Sequence, residues 1–234
     1  MYIIRTIWNG IRNFHKSPKK WILTLCLSAV LIALALYHYD QRQKTGVPFD
    51  TMLDETAVKV GDQTRTFREV AFYVAYEESQ VDEQARVYNP QNPEKYWNVH
   101  VDGVFVRLAA RNACAQMALH DEIFYQMAMH EKITLNEEDR RTLSNYQKDV
   151  WNDLKEDDRI ERLGVSKEDI DATLERMSYA QKMQLIYAGM NGVEYEDYDF
   201  SAPGYENLLK EWEGEINKAA WKQLEFGSIT LSYE

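Results

Sequence analysis

One stretch of the chain is apolar without interruption, whereas apolar and polar positions alternate through most of the remainder. Residues 21–37 read WILTLCLSAVLIALALY and contain no charged residue. On a helix that rises about 1.5 Å per residue, this run covers roughly 25 Å, the short end of a membrane span. The pattern predicts a single transmembrane anchor over residues 21–39, with Trp21 and Tyr37 at the two headgroup levels.

The residues that flank this run give it a direction. The basic residues before it are Arg5, Arg12, Lys16, Lys19 and Lys20, and no acidic residue occurs before Asp40. Because basic flanks are retained on the cytoplasmic side, residues 1–20 are predicted to be a cytoplasmic leader. The chain is thus expected in the cell membrane, single-pass, with its C-terminal domain extracytoplasmic. Ala33-Leu34-Ala35 resembles a signal-peptidase site, so cleavage after Ala35 is the alternative.

Helical spacing of apolar residues dominates the chain after the anchor. Longer helices are predicted at residues 67–86, 103–132, 137–155 and 166–189. Thr66 and Glu69 have the form of a capping box, Asn136 stands where a cap is needed, and Ser166 opens the fourth helix. The side chains predicted to be buried on the first and third helices are Phe67, Val70, Tyr73, Val74, Leu143, Tyr146, Val150 and Leu154. The fourth helix carries the apolar residues Ile170, Leu174, Met177 and Leu185. The second helix is apolar on several faces, which is typical of the centre of an assembly.

Shorter elements are expected at the two ends of this helical region. Residues 40–53 are polar and contain Gly46 and Pro48, so they are predicted to be a tether. Residues 57–65 alternate about Gly61 and predict a small hairpin. In the tail, 204–234, a helix is expected at 205–213, and 228–233 alternates cleanly as a terminal strand. Since a lone strand cannot satisfy its backbone groups, we expect it to pair near Val58 and Val60.

The predicted fold class is therefore mainly α. It consists of the single transmembrane helix and a helical domain over residues 54–234, whose ends are joined by a small two-strand β element. The segment 156–164 is highly charged and is expected to hold one short turn of helix. Only Cys114 lies in this domain, so an internal disulfide is impossible and stability must come from packing.

Charge excludes one class of partner. The chain carries a formal net charge of -11, and the part from Asp40 onward has 22 basic and 38 acidic residues, a net -16. So acidic a surface repels nucleic acid and anionic lipid headgroups. It serves solubility, and it also suits basic polypeptide partners.

No residue pattern predicts catalysis, a metal site or a cofactor. His120 and His130 are ten residues apart on one predicted helix, about 15 Å, which is too far to share a metal. Cys114 lies in a predicted buried helix without a neighbouring base, which favours an inert packing role. Phosphate-binding loops and the common hydrolase and redox motifs are absent from the sequence. We therefore expect a protein that is not an enzyme and needs no cofactor.

One set of residues is a candidate for binding peptides. Met and Tyr side chains recur on the two longest predicted helices, and flexible Met with amphipathic Tyr suits surfaces that accept varied apolar segments. The candidate peptide-binding residues are Met117, Tyr125, Met127, Met177, Tyr179, Met183 and Tyr187. The alternative is that these side chains fill an ordinary helical core.

The order of these elements resembles a known family. After the anchor come VKVGDQTRTFREV, HEKITLNEEDRR at the end of the long helix, LGVSKEDIDATLERM, and INKAAWKQLEF in the tail. This series is similar to the N-terminal chaperone domain of SurA- and PrsA-type foldases and of the membrane-anchored PpiD type. The resemblance implies a helical domain that binds unfolded polypeptides and is completed by its tail. Foldases of this type often insert a parvulin prolyl isomerase domain after the fourth helix, but only residues 192–204 stand there in this chain.

The resemblance and the residues together predict a membrane-anchored extracytoplasmic chaperone that holds unfolded or newly secreted polypeptides without isomerase activity. Its expected partners are those polypeptides and the membrane, the latter through residues 21–39. The alternative is a structural or adaptor subunit of an envelope or secretion assembly, which binds one dedicated partner. A holdase should bind many unfolded chains, whereas an adaptor should bind one folded protein.

Overall fold

The computed structural model describes residues 30–32, 46–155 and 158–233. Apart from 30–32, the predicted anchor lies outside the described residues, as does the basic leader. Within the described ranges, no helix is both long enough and apolar enough to cross a membrane. Gly46–Glu234 forms a compact unit by itself, and the description below concerns that unit.

The unit is mainly α-helical with a small antiparallel sheet, which confirms the predicted fold class in its coarse form. Its helices are α1 (Phe67–Tyr88), α2 (Val106–His130), α3 (Glu137–Lys155), α4 (Arg159–Leu163), α5 (Lys167–Asn191), α6 (Pro203–Glu211) and α7 (Lys218–Trp221). Short 3₁₀ helices occupy Phe49–Met52, Pro93–Asn98 and Tyr195–Tyr198. The strands are β1 (Thr56–Val60), β2 (Gln63–Thr66), β3 (His100–Val101), β4 (Val104–Phe105) and β5 (Gly214–Ile216).

The predicted caps fix the starts of three helices. The Glu69 carboxylate accepts a hydrogen bond from the Thr66 amide at 3.0 Å and so closes the first turn of α1. The side-chain Oδ1 of Asn136 accepts from the Asp139 amide at 2.9 Å at the start of α3. At the start of α5, the Ser166 hydroxyl accepts from the Asp169 amide at 3.2 Å. Each cap satisfies an amide that the helix itself leaves unpaired.

Helix α2 lies at the centre, as its apolar circumference predicts, and packs along α5 and across α1. Ile123 and Phe124 of α2 are fully buried. One prediction of burial was wrong, because Tyr146 is 37% exposed. Leu185, an apolar residue of the predicted fourth helix, is 62% exposed. The buried residues of α3 form one narrow stripe, and Tyr146 lies about 60° beside it on the helical wheel. Leu185 follows a buried residue of α5, and one helical step of about 100° turns it outward.

The sheet joins the two ends of the unit, with β1 between β2 and β5. Both pairs are antiparallel, and Val58 stands opposite Arg65 on one side and Ile216 on the other. The predicted hairpin is confirmed, but the predicted terminal strand at 228–233 is wrong. The tail does return to Val58 and Val60, but it does so through β5. A second antiparallel pair, β3 with β4, precedes α2.

Residues 227–233 contact α1 through a buried carboxylate instead of a strand partner. Glu78, which is 0% exposed, accepts hydrogen bonds from the amides of Gly227, Ile229 and Thr230 and from the Thr230 hydroxyl. Two further bonds hold Tyr233, whose hydroxyl accepts from the Trp97 indole at 2.7 Å and donates to the α1 carboxylate Asp82 at 2.8 Å. These bonds satisfy backbone donors that a strand would have paired.

The compact unit begins before the boundary expected at residue 54. Phe49–Met52 forms a 3₁₀ helix within the predicted tether, and both terminal side chains of that helix are buried. The ring of Phe49 meets that of Phe67 edge-on, with centroids 6.0 Å apart. The Val47 amide also donates to the Gln223 carbonyl at 2.9 Å. Apolar side chains within a polar stretch therefore dock this segment on the core.

Candidate functional site

An aromatic cleft lies where α1, α2, α3 and α5 meet the segment that follows α5. It encloses about 630 Å³. Its aromatic lining consists of Phe72, Tyr73, Tyr76, Tyr146, Tyr195 and Phe200, and its polar lining includes His120, Asp121, Gln181, Gln184 and Asp199. Volumes between roughly 300 and 1,000 Å³ with a few convergent polar groups are typical of ligand sites.

Three of the aromatic side chains are exposed at this cleft. Tyr76, Tyr146 and Phe200 are 41%, 37% and 38% exposed, although large aromatic side chains are usually well buried. Beneath two of them lies Phe72, whose ring is 5.9 Å from that of Tyr76 and 6.4 Å from that of Tyr146. The rings from α1 and α3 thus form one continuous aromatic wall that solvent can reach.

A hydrogen-bond chain crosses the polar side of the cleft. The Tyr73 hydroxyl donates to one oxygen of Asp121 at 2.8 Å, and the other oxygen lies 2.9 Å from His120 Nδ1. The second ring nitrogen of His120 lies 3.0 Å from the Tyr198 carbonyl. This chain ties α1 to α2 and α2 to the segment after α5, so it holds three walls of the cleft in register.

The last wall is held by Gln184, a fully buried residue of α5. Its amide nitrogen donates to the Tyr195 carbonyl at 3.0 Å and to the Asp199 carboxylate at 3.2 Å. A buried side-chain amide that is bonded in this way fixes the backbone it contacts. Residues 195–199 therefore take a defined position above α5.

Two tyrosine hydroxyls of the cleft, those of Tyr73 and Tyr195, have a raised pKa. Burial, reinforced by the nearby Asp121 carboxylate, raises the pKa of Tyr73 well above its ordinary value. Burial, followed by the charges of Asp121 and Asp199, raises the pKa of Tyr195 to about 12. A protonated tyrosine hydroxyl can donate a hydrogen bond, as Tyr73 does to Asp121. The arrangement is suited to binding an apolar ligand that carries polar groups.

The structure divides the seven predicted site residues among different environments. Met117 of α2 and Met177 of α5 line the cleft, and Met177 is 9% exposed. Met127 and Met183 are buried at 5% and 2% exposure within the core between these helices. These two side chains fill the core, as the alternative interpretation of the Met and Tyr set expected.

The three predicted tyrosines are half-buried and pack against the core outside the cleft lining. Tyr125 of α2 and Tyr179 of α5 meet edge-to-face, with ring centroids 6.2 Å apart. Tyr187 packs against Phe124 at 6.3 Å and against Tyr198 at 4.9 Å. These contacts join α2, α5 and the following 3₁₀ helix, which positions the cleft wall.

Sequence reasoning missed most of the cleft because its residues come from separate elements. Tyr76 stands immediately before an acidic pair on α1, where helical periodicity continues only weakly. The spacing of Tyr146 predicts a core position, and Phe200 lies in a segment without periodicity. The local sequence signal for an exposed ring is an aromatic residue beside charged residues. This signal does not show which aromatic rings lie together in the fold.

No group of His, Cys, Asp and Glu within the described ranges could hold a metal ion. His130 is exposed at the end of α2 and lies 2.9 Å from its neighbour Glu131. Cys114 is fully buried, and burial raises the pKa of its thiol well above the ordinary value. The thiol is thus a small apolar packing group, as expected.

Comparison with known proteins adds no relative from which a function could be taken. No protein-family model matches the chain, and neither curated protein sequences nor solved structures provide a significant match.

Proposed function

We propose that this protein is a chaperone that holds unfolded or newly secreted polypeptide segments in the aromatic cleft, without isomerase activity. The predicted anchor would place it on the extracytoplasmic side of a membrane. The observation that carries the proposal is the clustering of Tyr76, Tyr146 and Phe200, all more than a third exposed, around one cavity. Exposed apolar groups concentrated in one concave place mark interaction sites more often than scattered ones do.

The chemistry of the cleft suits a peptide with large apolar side chains. Tyrosine and phenylalanine rings offer wide contact area and lose little conformational freedom on binding. The polar lining adds donors and acceptors for the backbone of an extended segment. Met177 supplies a flexible side chain at the floor, which suits ligands of varied shape.

Charge adds a preference among such peptides. Asp121 and Asp199 line the cleft, and the chain from Asp40 onward carries a net -16. Segments that combine aromatic or aliphatic side chains with lysine or arginine should therefore associate faster and bind more tightly than acidic segments. This preference should weaken as salt is raised, because exposed charges are screened.

The resemblance to SurA- and PrsA-type chaperone domains supports the same proposal. The segments of the resemblance form β1 and β2, the end of α2, the start of α5 and the region of β5 and α7. Membership of that family is itself a proposal. A chain without the isomerase insert would retain only the holding activity.

The first test measures peptide binding by the full-length protein in a mild detergent. Fluorescent peptides of basic-apolar, neutral-apolar and acidic composition are titrated and followed by anisotropy. Tyr146→Ala and Phe200→Ala should each weaken binding of the basic-apolar peptide by about tenfold, the usual effect of truncating an aromatic anchor. Leu185→Ala, an apolar truncation on α5 at a more exposed position outside the cleft, is the control.

The outcomes separate the proposed function from its alternative. Binding of several unrelated peptides that is lost in the cleft variants supports a holdase. If none of the peptides binds, or if Leu185→Ala weakens binding as much as Tyr146→Ala does, the cleft is not a general peptide site. Capture of one folded partner without peptide binding would instead favour the dedicated adaptor.

A further inference from the structure

A second pocket has mostly basic charged side chains, whereas those of the aromatic cleft are acidic. It lies between the end of α1, the short helix α4 and the C-terminal segment, and it encloses about 400 Å³. Arg86, Arg159 and Arg162 line it, together with the side chain of Asp158 and residues 230–232. Three guanidinium groups therefore surround one pocket in a chain whose net charge is -11.

Two of these arginines have guanidinium nitrogens that are free for a ligand within the described part of the chain. The Nε of Arg159 is buried and has no hydrogen-bond partner in the structure. Buried donors without acceptors are rare because desolvation is not repaid, so an orphaned guanidinium N–H points to a missing acceptor. Arg162 is exposed and forms no ion pair with another residue in the described part of the chain. Arg86 donates to Asp82 at 2.8 Å and is positioned by that bond.

The hydroxyl groups of the facing segment divide into two kinds. Thr230 donates its hydroxyl to Glu78 at 2.7 Å, so it serves the fold. Ser232 lines the pocket two residues later and carries a hydroxyl that can donate to a ligand. Guanidinium forks opposite a hydroxyl are the groups that recognise tetrahedral oxyanions.

We propose that this pocket binds a phosphate group through Arg159 and Arg162, with Arg86 and Ser232 at its sides. The ligand is either a free phosphate or the phosphate of a lipid headgroup, since both present the same acceptor oxygens. Nucleic acid is disfavoured, because the net charge of -11 repels a polyanion along its length, whereas a single phosphate needs only the arginines of the pocket. The inference does not depend on the aromatic cleft, which is formed by different residues.

The test uses the full-length protein in a neutral detergent. Inorganic phosphate is titrated by calorimetry and by its effect on the thermal unfolding midpoint, and dihexanoyl phosphatidylglycerol is titrated in a second arm. Arg159→Gln and Arg162→Ala should each weaken phosphate binding by about tenfold, as expected for the loss of charge-assisted hydrogen bonds. Arg141→Ala, an exposed arginine of α3 outside the pocket, should bind like the unmodified protein.

Arg162 is exposed, so its replacement tests the pocket even if Arg159→Gln does not fold. Tighter binding of the short-chain lipid than of inorganic phosphate, lost in Arg162→Ala, would support the proposal and assign the lipid source. Tighter binding of inorganic phosphate, lost in the same variant, would support it and assign the free ion. Absence of binding in both arms, or equal binding by Arg162→Ala and Arg141→Ala, would overturn it.

Discussion

Replacing Glu78 by glutamine should loosen the C-terminal segment from α1. The carboxylate is fully buried and accepts four hydrogen bonds. One oxygen accepts from the amides of Gly227 at 2.6 Å and Ile229 at 3.2 Å. The other accepts from the amide and the hydroxyl of Thr230, at 2.6 and 2.7 Å. Glutamine has nearly the same shape, but one of its two terminal groups donates hydrogen bonds and cannot accept them.

The stability lost in Glu78→Gln depends on the orientation that the glutamine amide adopts. With its nitrogen toward Gly227 and Ile229, two backbone amides would lose their acceptor. With its nitrogen toward Thr230, the hydroxyl can rotate to accept, and only the Thr230 amide stays unpaired. The second orientation is therefore favoured. It leaves one buried donor unpaired, which costs about 1–3 kcal/mol, and the remaining hydrogen bonds are weaker because the acceptor is no longer charged.

One effect opposes this loss. Burial raises the pKa of Glu78, although the four hydrogen bonds act in the other direction, so the native carboxylate carries a desolvation penalty that glutamine avoids. We expect a net loss of about 2 kcal/mol in the free energy of unfolding. For a unit of this size, that corresponds to a midpoint lower by roughly 4–8 °C.

The assay compares thermal unfolding of the full-length protein, Glu78→Gln and Glu83→Gln by circular dichroism. Glu83 is exposed on the same helix, so its replacement should leave the midpoint unchanged. Hydrogen exchange at the amides of Gly227, Ile229 and Thr230 should accelerate in Glu78→Gln alone. A midpoint equal to that of Glu83→Gln, with unchanged exchange at Thr230, would refute the role assigned to this carboxylate.

Two further changes have defined outcomes. The hydrogen bond from Lys182, followed by that from the Asn136 amide, lowers the pKa of Asp139 below its ordinary 3.8. The ionised Asp139 carboxylate therefore stabilises the fold above pH 3.8, and this stabilisation is lost as the pH falls through the lowered pKa. The midpoint difference between the unmodified protein and Asp139→Asn should therefore exist at neutral pH and vanish in strong acid; a difference that persists there would contradict the argument. Gly227 has φ +98°, and an added Cβ would lie 2.5 Å from the Trp97 ring, so Gly227→Ala should lower the free energy of unfolding by about 1–3 kcal/mol. Gly189→Ala, a helical position with open space around it, should instead stabilise by about 0.5–1 kcal/mol, and equal effects of the two variants would argue against this contact.

Local sequence patterns determine most element boundaries without reference to tertiary contacts. Asn136 and Ser166 start α3 and α5 because their side chains bond amides only three residues away. Gly61 turns the hairpin because its φ of +54° is in the region that favours glycine. The sequence also predicts the central position of α2, since a helix with apolar residues on several faces must be covered on several sides.

The cleft was decided only by the packing of the helices. Its rings come from α1, α3 and the segment after α5, and no spacing along the chain shows that Tyr76 approaches Tyr146. The spacing predicts Tyr146 in the core, whereas in the structure its ring lines the cleft and is 37% exposed. Whether an aromatic side chain is covered depends on the neighbouring element, which the sequence of its own helix does not specify.

Residues 227–233 show most clearly what the sequence determines and what tertiary packing decides. Its alternation at 228–233 indicated an extended chain that needs hydrogen-bond acceptors, and β1 was the nearest candidate. In the structure β5 takes that edge of β1, and the buried carboxylate of Glu78 accepts the bonds from Gly227, Ile229 and Thr230. An extended backbone is satisfied equally by a strand or by a carboxylate. The sequence thus determined that the donors need acceptors, and only tertiary packing decided which acceptor lies within reach.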